Sequence, residues 1–232
     1  MKLVQLSIAA MLLGANLSAH ALTTTVTSGP SSLVSGAYVV DFGTSAVNNT
    51  APLSNALPSG TQGGIGYSYT GGAEFNFDAT SGLPSGTAAR PVGSTGNFYS
   101  VGVSPSAQMG PGFVNFTQAV SYFGFLWGSP DSYNTVSFFN GNQLLGAYTG
   151  SAVLANPNGD QGYAQYFNVF AGAGEAITKV EFSSSGNAFE TDNHAFLPAL
   201  ASAGAKVPEP DALVLMLTGL GLLGTTTLRR KA

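Results

Sequence analysis

The chain reads as an all-β protein, a sandwich or barrel, flanked by two segments that stand outside the fold. Three observations point there. Short runs of β-branched and aromatic residues alternate with clusters of Gly, Ser, Thr and Asn along the middle of the chain, the pattern of many short strands joined by turns. No apolar period of 3.6 residues persists long enough for a helix. Asn140-Gly141 stands between two such runs, and both residues tolerate the positive φ of a tight hairpin turn.

In chain order the pattern predicts strands over 22–27, 37–42, 65–70, 73–77, 98–103, 113–117, 121–127, 133–139, 143–148, 163–170, 176–183 and 188–196. The stretches 48–64 and 80–95 read as loops from their composition. In 73–77 the polar Glu74 and Asn76, continued by Asp78, alternate with Phe75 and Phe77, so one face of that strand is expected to be wet. Trp127, the single tryptophan, shares a strand face with Phe123 and Phe125. That placement favours the core.

The ends read differently. Residues 1–21 carry the three parts of a secretory signal peptide: Lys2, an apolar stretch from Leu3 to Leu17, and the small-x-small site Ala19-His20-Ala21. Leu22 is then the first mature residue, and 22–198 form the sandwich domain. Residues 199–206 are a small-residue linker, and 207–232 form a tail. Within it 212–228 is uncharged and apolar, and Arg229-Arg230-Lys231 follows. As a helix that span reaches about 26 Å, just under the roughly 30 Å of a hydrocarbon core. The basic cluster keeps the C-terminus cytoplasmic, so the expected C-terminal transmembrane helix leaves the domain outside.

Charge excludes one class of partner. Between residues 22 and 206 the basic residues are Arg90, Lys179 and Lys206. The acids there are Asp41, Glu74, Asp78, Asp131, Asp160, Glu175, Glu181, Glu190 and Asp192. Nucleic-acid binding needs a basic face that displaces counterions, and this acidic domain has none. The chain has no cysteine, so neither disulfides nor thiolate chemistry enters.

The last 26 residues resemble the PEP-CTERM sorting signal. Val207-Pro208-Glu209-Pro210, the span containing Gly219-Leu220-Gly221-Leu222-Leu223, and Arg229-Arg230-Lys231 carry the resemblance. It implies recognition by an exosortase-type membrane protease, cleavage near the Pro-Glu-Pro element, and transient residence in the inner membrane. Release to the cell surface or outside follows, in a Gram-negative bacterium that makes exopolysaccharide and biofilm. The run from Tyr122 to Asn134, then Phe138 to Asn142, and Ala188 to Asn193 also resemble the bodies of exosortase-sorted surface proteins. Those bodies are jelly-roll-like β-sandwiches akin to carbohydrate-binding modules. Thr191 and His194 depart from the pattern, where aliphatic residues are expected.

No active site assembles from the motifs. His194 is the only histidine after residue 21, and no Gly-x-Ser-x-Gly elbow is present. Gly219 to Gly224 spells a dinucleotide motif, but inside an apolar span with no strand before it. Glu190 and Asp192 project to one strand face. Two readings stand for them: a calcium site completed by Asp41 and Asn193, since calcium takes carboxylate and amide oxygens, or two solvated acids. Trp127, Asp131 and Tyr133 bracket the other candidate, a glycan contact, against the plainer reading of a tight turn around Pro130. The expectation is a non-enzymatic surface or matrix protein linked to exopolysaccharide. A calcium-dependent carbohydrate-binding module is the first alternative, and a secreted hydrolase the second.

Overall fold

The computed structural model describes residues 22–48, 52–53, 56–77, 88–102 and 110–199. The expected signal peptide and transmembrane helix, and Asp78, lie outside the described residues. Within them the chain is all-β: β1 (Thr23–Thr27), β2 (Tyr38–Val40), β3 (Ser59–Gln62), β4 (Ile65–Thr70), β5 (Ala73–Phe75), β6 (Phe98–Val101), β7 (Gly112–Gly128), β8 (Asn134–Asn140), β9 (Gln143–Thr149), β10 (Ala164–Phe170), β11 (Ile177–Ser184) and β12 (Phe189–Pro198). A single 3-10 turn covers Gly150–Ala152. Among the described residues no helix is long and apolar enough to cross a membrane.

Strand β7 organises the molecule. Its first half pairs with β4 and β11, its second half with β10 and β12, all antiparallel. The chain therefore passes from one sheet to the other without leaving extended structure. One sheet runs β6-β12-β7-β10, the other β7-β11-β8-β9. Successive strands from β9 to β12 alternate between the sheets. This is jelly-roll order, with two of its eight strands fused into β7. The remaining strands extend it: β5 beside β6, β1 beside β10, β4 and β3 beside the first half of β7, and β2 beside the end of β12. The jelly-roll expectation holds, and 113–117 and 121–127 prove to be one strand. The gap left between them, residues 118–120, marks where β7 changes partners.

Alternation builds the core. Phe123, Phe125 and Trp127 of β7 face inward with Phe167 and Val169 of β10 and Phe189 and Phe196 of β12, all 0% exposed. The opposite sheet contributes Val136, Phe138, Val180 and Phe182. The rings of Phe125 and Phe182 meet edge-on at 5.1 Å between centroids, and Trp127 stacks on Phe189 at 4.6 Å. Burying each such side chain contributes about 1.5–3 kcal/mol. With no disulfide, this packing holds the body together.

Three expectations need correction. Residues 59–62, read as loop, form β3, a short edge strand paired to β4. The face of Glu74 and Asn76 is not wet: the two are 4% and 3% exposed. The segment before β3 covers them, with Leu53 N donating to Glu74 O and Asn76 Nδ2 to Ser45 O. The β8–β9 hairpin forms as expected, but its two-residue loop is Gly141-Asn142. Asn140 pairs with Gln143, and φ is +56° at Gly141.

Candidate functional site

Strand β12 holds most of the chain's unusual chemistry. Phe189 and Thr191 point into the core, and Glu190 and Asp192 point to the other face. Asn193 then takes φ +48° and the register against β7 slips between Asp192 and Ala195. This bulge returns His194 to the core. The two acids do share a face, as expected from their spacing, yet neither is solvated: Glu190 is 3% exposed and Asp192 1%.

Distant loops close over them. Ala89 N donates to Glu190 Oε1 at 2.8 Å and Ser129 Oγ to Oε2 at 2.8 Å. Asn193 N donates to Asp192 Oδ1 at 2.7 Å. Ser94 lies close enough to Asp192 to favour its charged form, although its Oγ makes no well-formed hydrogen bond. Burial dominates the electrostatics and pushes both carboxyls up to about 7. For Glu190 the bonds from Ala89 and Ser129 pull the other way and nearby Asp131 adds to the rise. For Asp192 the Asn193 amide, Ser94 and the Arg90 charge pull down, while Asp41 pushes up. Asp131, itself 9% exposed, is also raised by burial. Sequence reasoning missed Ala89, Arg90, Ser94 and Ser129 as members of this cluster. Their one signal is their position in loops rich in turn residues.

The departures at Thr191 and His194 form a compensated set inside the core. His194 is 0% exposed, with Nδ1 2.8 Å from the Tyr69 hydroxyl and Nε2 2.8 Å from Thr191 Oγ1. Burial lowers its pKa to about 3. It is therefore a neutral imidazole, donor on one nitrogen and acceptor on the other. The Phe42 and Phe182 rings lie 5.1 and 5.2 Å from it.

The calcium set does not come together. Both Glu190 oxygens are held by protein donors. Asp41 is exposed, and its Oδ1 accepts from Gly43 N in a local turn. The Asn193 amide turns away and donates to Pro30 O. Among the described residues no group of three or more His, Asp or Glu side chains is placed to hold a metal ion. The glycan set comes together only in part: the side chains of Asp131 and Tyr133 interact. Trp127 is fully buried against Phe189 and offers no ring face. Asp131 is tied down by a bridge to Asn158, and Tyr133 donates its hydroxyl to Asn187 O. The tight-turn reading of 128–134 is the one the geometry bears: Asn134 Oδ1 accepts from Asp131 N, and Asn134 N donates back to Asp131 O.

The body ends with β12 at Pro198, and beyond it the Pro-Glu-Pro element, the uncharged span and the basic cluster follow in order. Residues 206–231 match the PEP-CTERM protein-sorting motif. The chain carries an exosortase sorting signal. The motif implies export, transit through the membrane, processing by an exosortase membrane enzyme and sorting to the cell surface. No curated protein and no solved structure matches the chain.

Proposed function

We propose that this is a non-catalytic protein of the surface or extracellular matrix of a Gram-negative bacterium, and that its jelly-roll body associates with exopolysaccharide. The observation that carries the reading is the sorting motif at 206–231, joined to the burial of His194, Glu190 and Asp192 in the body. The one histidine after residue 21 is sealed between the sheets. The acid pair on the outward face of β12, Glu190 and Asp192, is roofed by loops and held by backbone and hydroxyl donors. A hydrolase needs its acid pair open to a substrate and a water, so the covered pair weighs against that alternative. Glycan recognition without calcium is the form of the binding alternative that the geometry favours.

Two measurements test this. Mass spectrometry of exported material should find peptides of the body but none from 1–21 and none from 213–228. An intact tail peptide in mature protein would overturn exosortase processing. Mature protein should also co-sediment with the producing strain's exopolysaccharide and generate no new reducing ends in it. Release of reducing ends would make it an enzyme.

A further inference from the structure

The outer face of the β7-β11-β8 sheet carries an open trench of about 420 Å³ across β3, β4 and the first half of β7. Its shape follows from alternation. Ile65, Tyr69 and Val114 point into the core, so Gly66, Ser68, Asn115 and Thr117 point out. Register places these side chains in two rows across the strands. Ser59 stands opposite Ser68, and Ser68 opposite Asn115. Thr61 stands opposite Gly66, whose other neighbour is Thr117. The Gly66 N–H donates to Thr117 Oγ1 at 2.8 Å. A side chain at Gly66 would run into Thr117, with its Cβ 2.7 Å from the threonine methyl, and the missing side chain opens the second row.

We propose that this trench binds a neutral, hydroxyl-rich glycan chain lying across the strands; the inference rests on the polysaccharide reading above and names its site. Three features select that ligand. No lining residue is charged, which removes the counter-charge that phosphate, sulfate or uronate groups require. The polar groups are hydroxyls and one amide, which donate and accept alike and suit sugar hydroxyls of either sense. They repeat at the strand spacing of ~4.8 Å, close to the repeat of one sugar in an extended β-linked chain. The nearest charge on the first row is Lys179, opposite Asn115. It is turned onto aromatic rings, its ammonium 4.1 Å from the Phe139 centroid and 5.7 Å from that of Phe113.

The test titrates mature exported protein with cellohexaose and with hexagalacturonate, and in parallel measures retention on the producing strain's exopolysaccharide. Saturable cellohexaose binding is expected, weakened roughly tenfold or more by Ser68→Ala with Asn115→Ala through the loss of two side-chain hydrogen bonds. Ser137→Ala, on the same face of β8, should leave it unchanged. If the double variant does not fold, Thr61→Arg on the exposed edge strand blocks the trench and should abolish binding. Binding that survives both Thr61→Arg and the double variant overturns the trench and leaves the polysaccharide reading standing. Preference for hexagalacturonate overturns the neutral-ligand inference alone. Absence of binding to every glycan, the native exopolysaccharide included, overturns both.

Discussion

Glu190 gives the protein a stability that depends on pH, and the sign follows from its surroundings. Its carboxyl is pushed up to about 7 from an ordinary value of 4.5. The folded state therefore holds the proton more tightly than the unfolded chain. The stability is fully present below pH 4.5 and is lost as pH rises through 7. At about 1.4 kcal/mol per pH unit the gap corresponds to about 3 kcal/mol, of which about 2 kcal/mol falls between about pH 5.5 and 8.5. Asp192, also raised to about 7, loses about as much over the same window. His194 runs the other way. With its pKa lowered to about 3, the folded state gains about 1.4 kcal/mol between about pH 5.5 and 8.5 as the unfolded imidazole gives up its proton. Wild type should thus lose roughly 2–3 kcal/mol over the window. Glu190→Gln mimics the protonated acid: Oε1 still accepts from Ala89, and the amide donates to Ser129. By thermal melting it should match wild type below about pH 4.5, and its excess over wild type should grow by about 4–8 °C between about pH 5.5 and 8.5. Adding Asp192→Asn should reverse the slope, leaving a protein that gains stability as pH rises. Parallel loss in wild type and both variants would refute the argument.

Other outcomes follow from the same geometry. His194→Leu strands the hydroxyls of Tyr69 and Thr191 in the core and should cost about 2–5 kcal/mol by chemical denaturation. Combining it with Tyr69→Phe and Thr191→Val should recover most of that loss, since a fully apolar replacement leaves nothing unpaired. Asn193→Ala should cost about 1–2 kcal/mol for placing alanine at positive φ, and Asn193→Gly much less. A reporter active only outside the cytoplasm, fused after Ala232, should stay silent if Arg229 to Lys231 remain inside; activity would reverse the assigned topology. Circular dichroism of the mature body should be β-type, and a helical spectrum would contradict the fold.

Much of the fold was legible because one face of most strands meets an apolar core. The inward run Phe123, Phe125, Trp127 and the outward pair Glu190, Asp192 can both be read from period-two alternation. What could not be read came from partners far along the chain. Ser59 to Gln62 carries no strand signal of its own. It is extended because β4 offers it backbone partners and Tyr67 lays its ring over Gly60. Glu74 and Asn76 look solvated until Ser45, Asn48, Leu53 and Asn97 reach them. Glu190 likewise looks exposed until Ala89 and Ser129, 101 and 61 residues away, reach it. Burial, and so the perturbed chemistry of the site, was set by covering segments whose local sequence announces only turns.

The fusion of two strands into β7 has a mechanical consequence. In a sandwich of separate sheets, the faces are joined by loops, and tension can pull the sheets apart while each keeps its ladder. Here seventeen consecutive residues, Gly112–Gly128, run through both. Their hydrogen bonds engage four neighbouring strands. A pull that separates the sheets must bend or strip β7 itself, which breaks ladders on both sides in one event. For a protein without cross-links, working outside the cell, that shared strand makes shear on either face a load on the whole body.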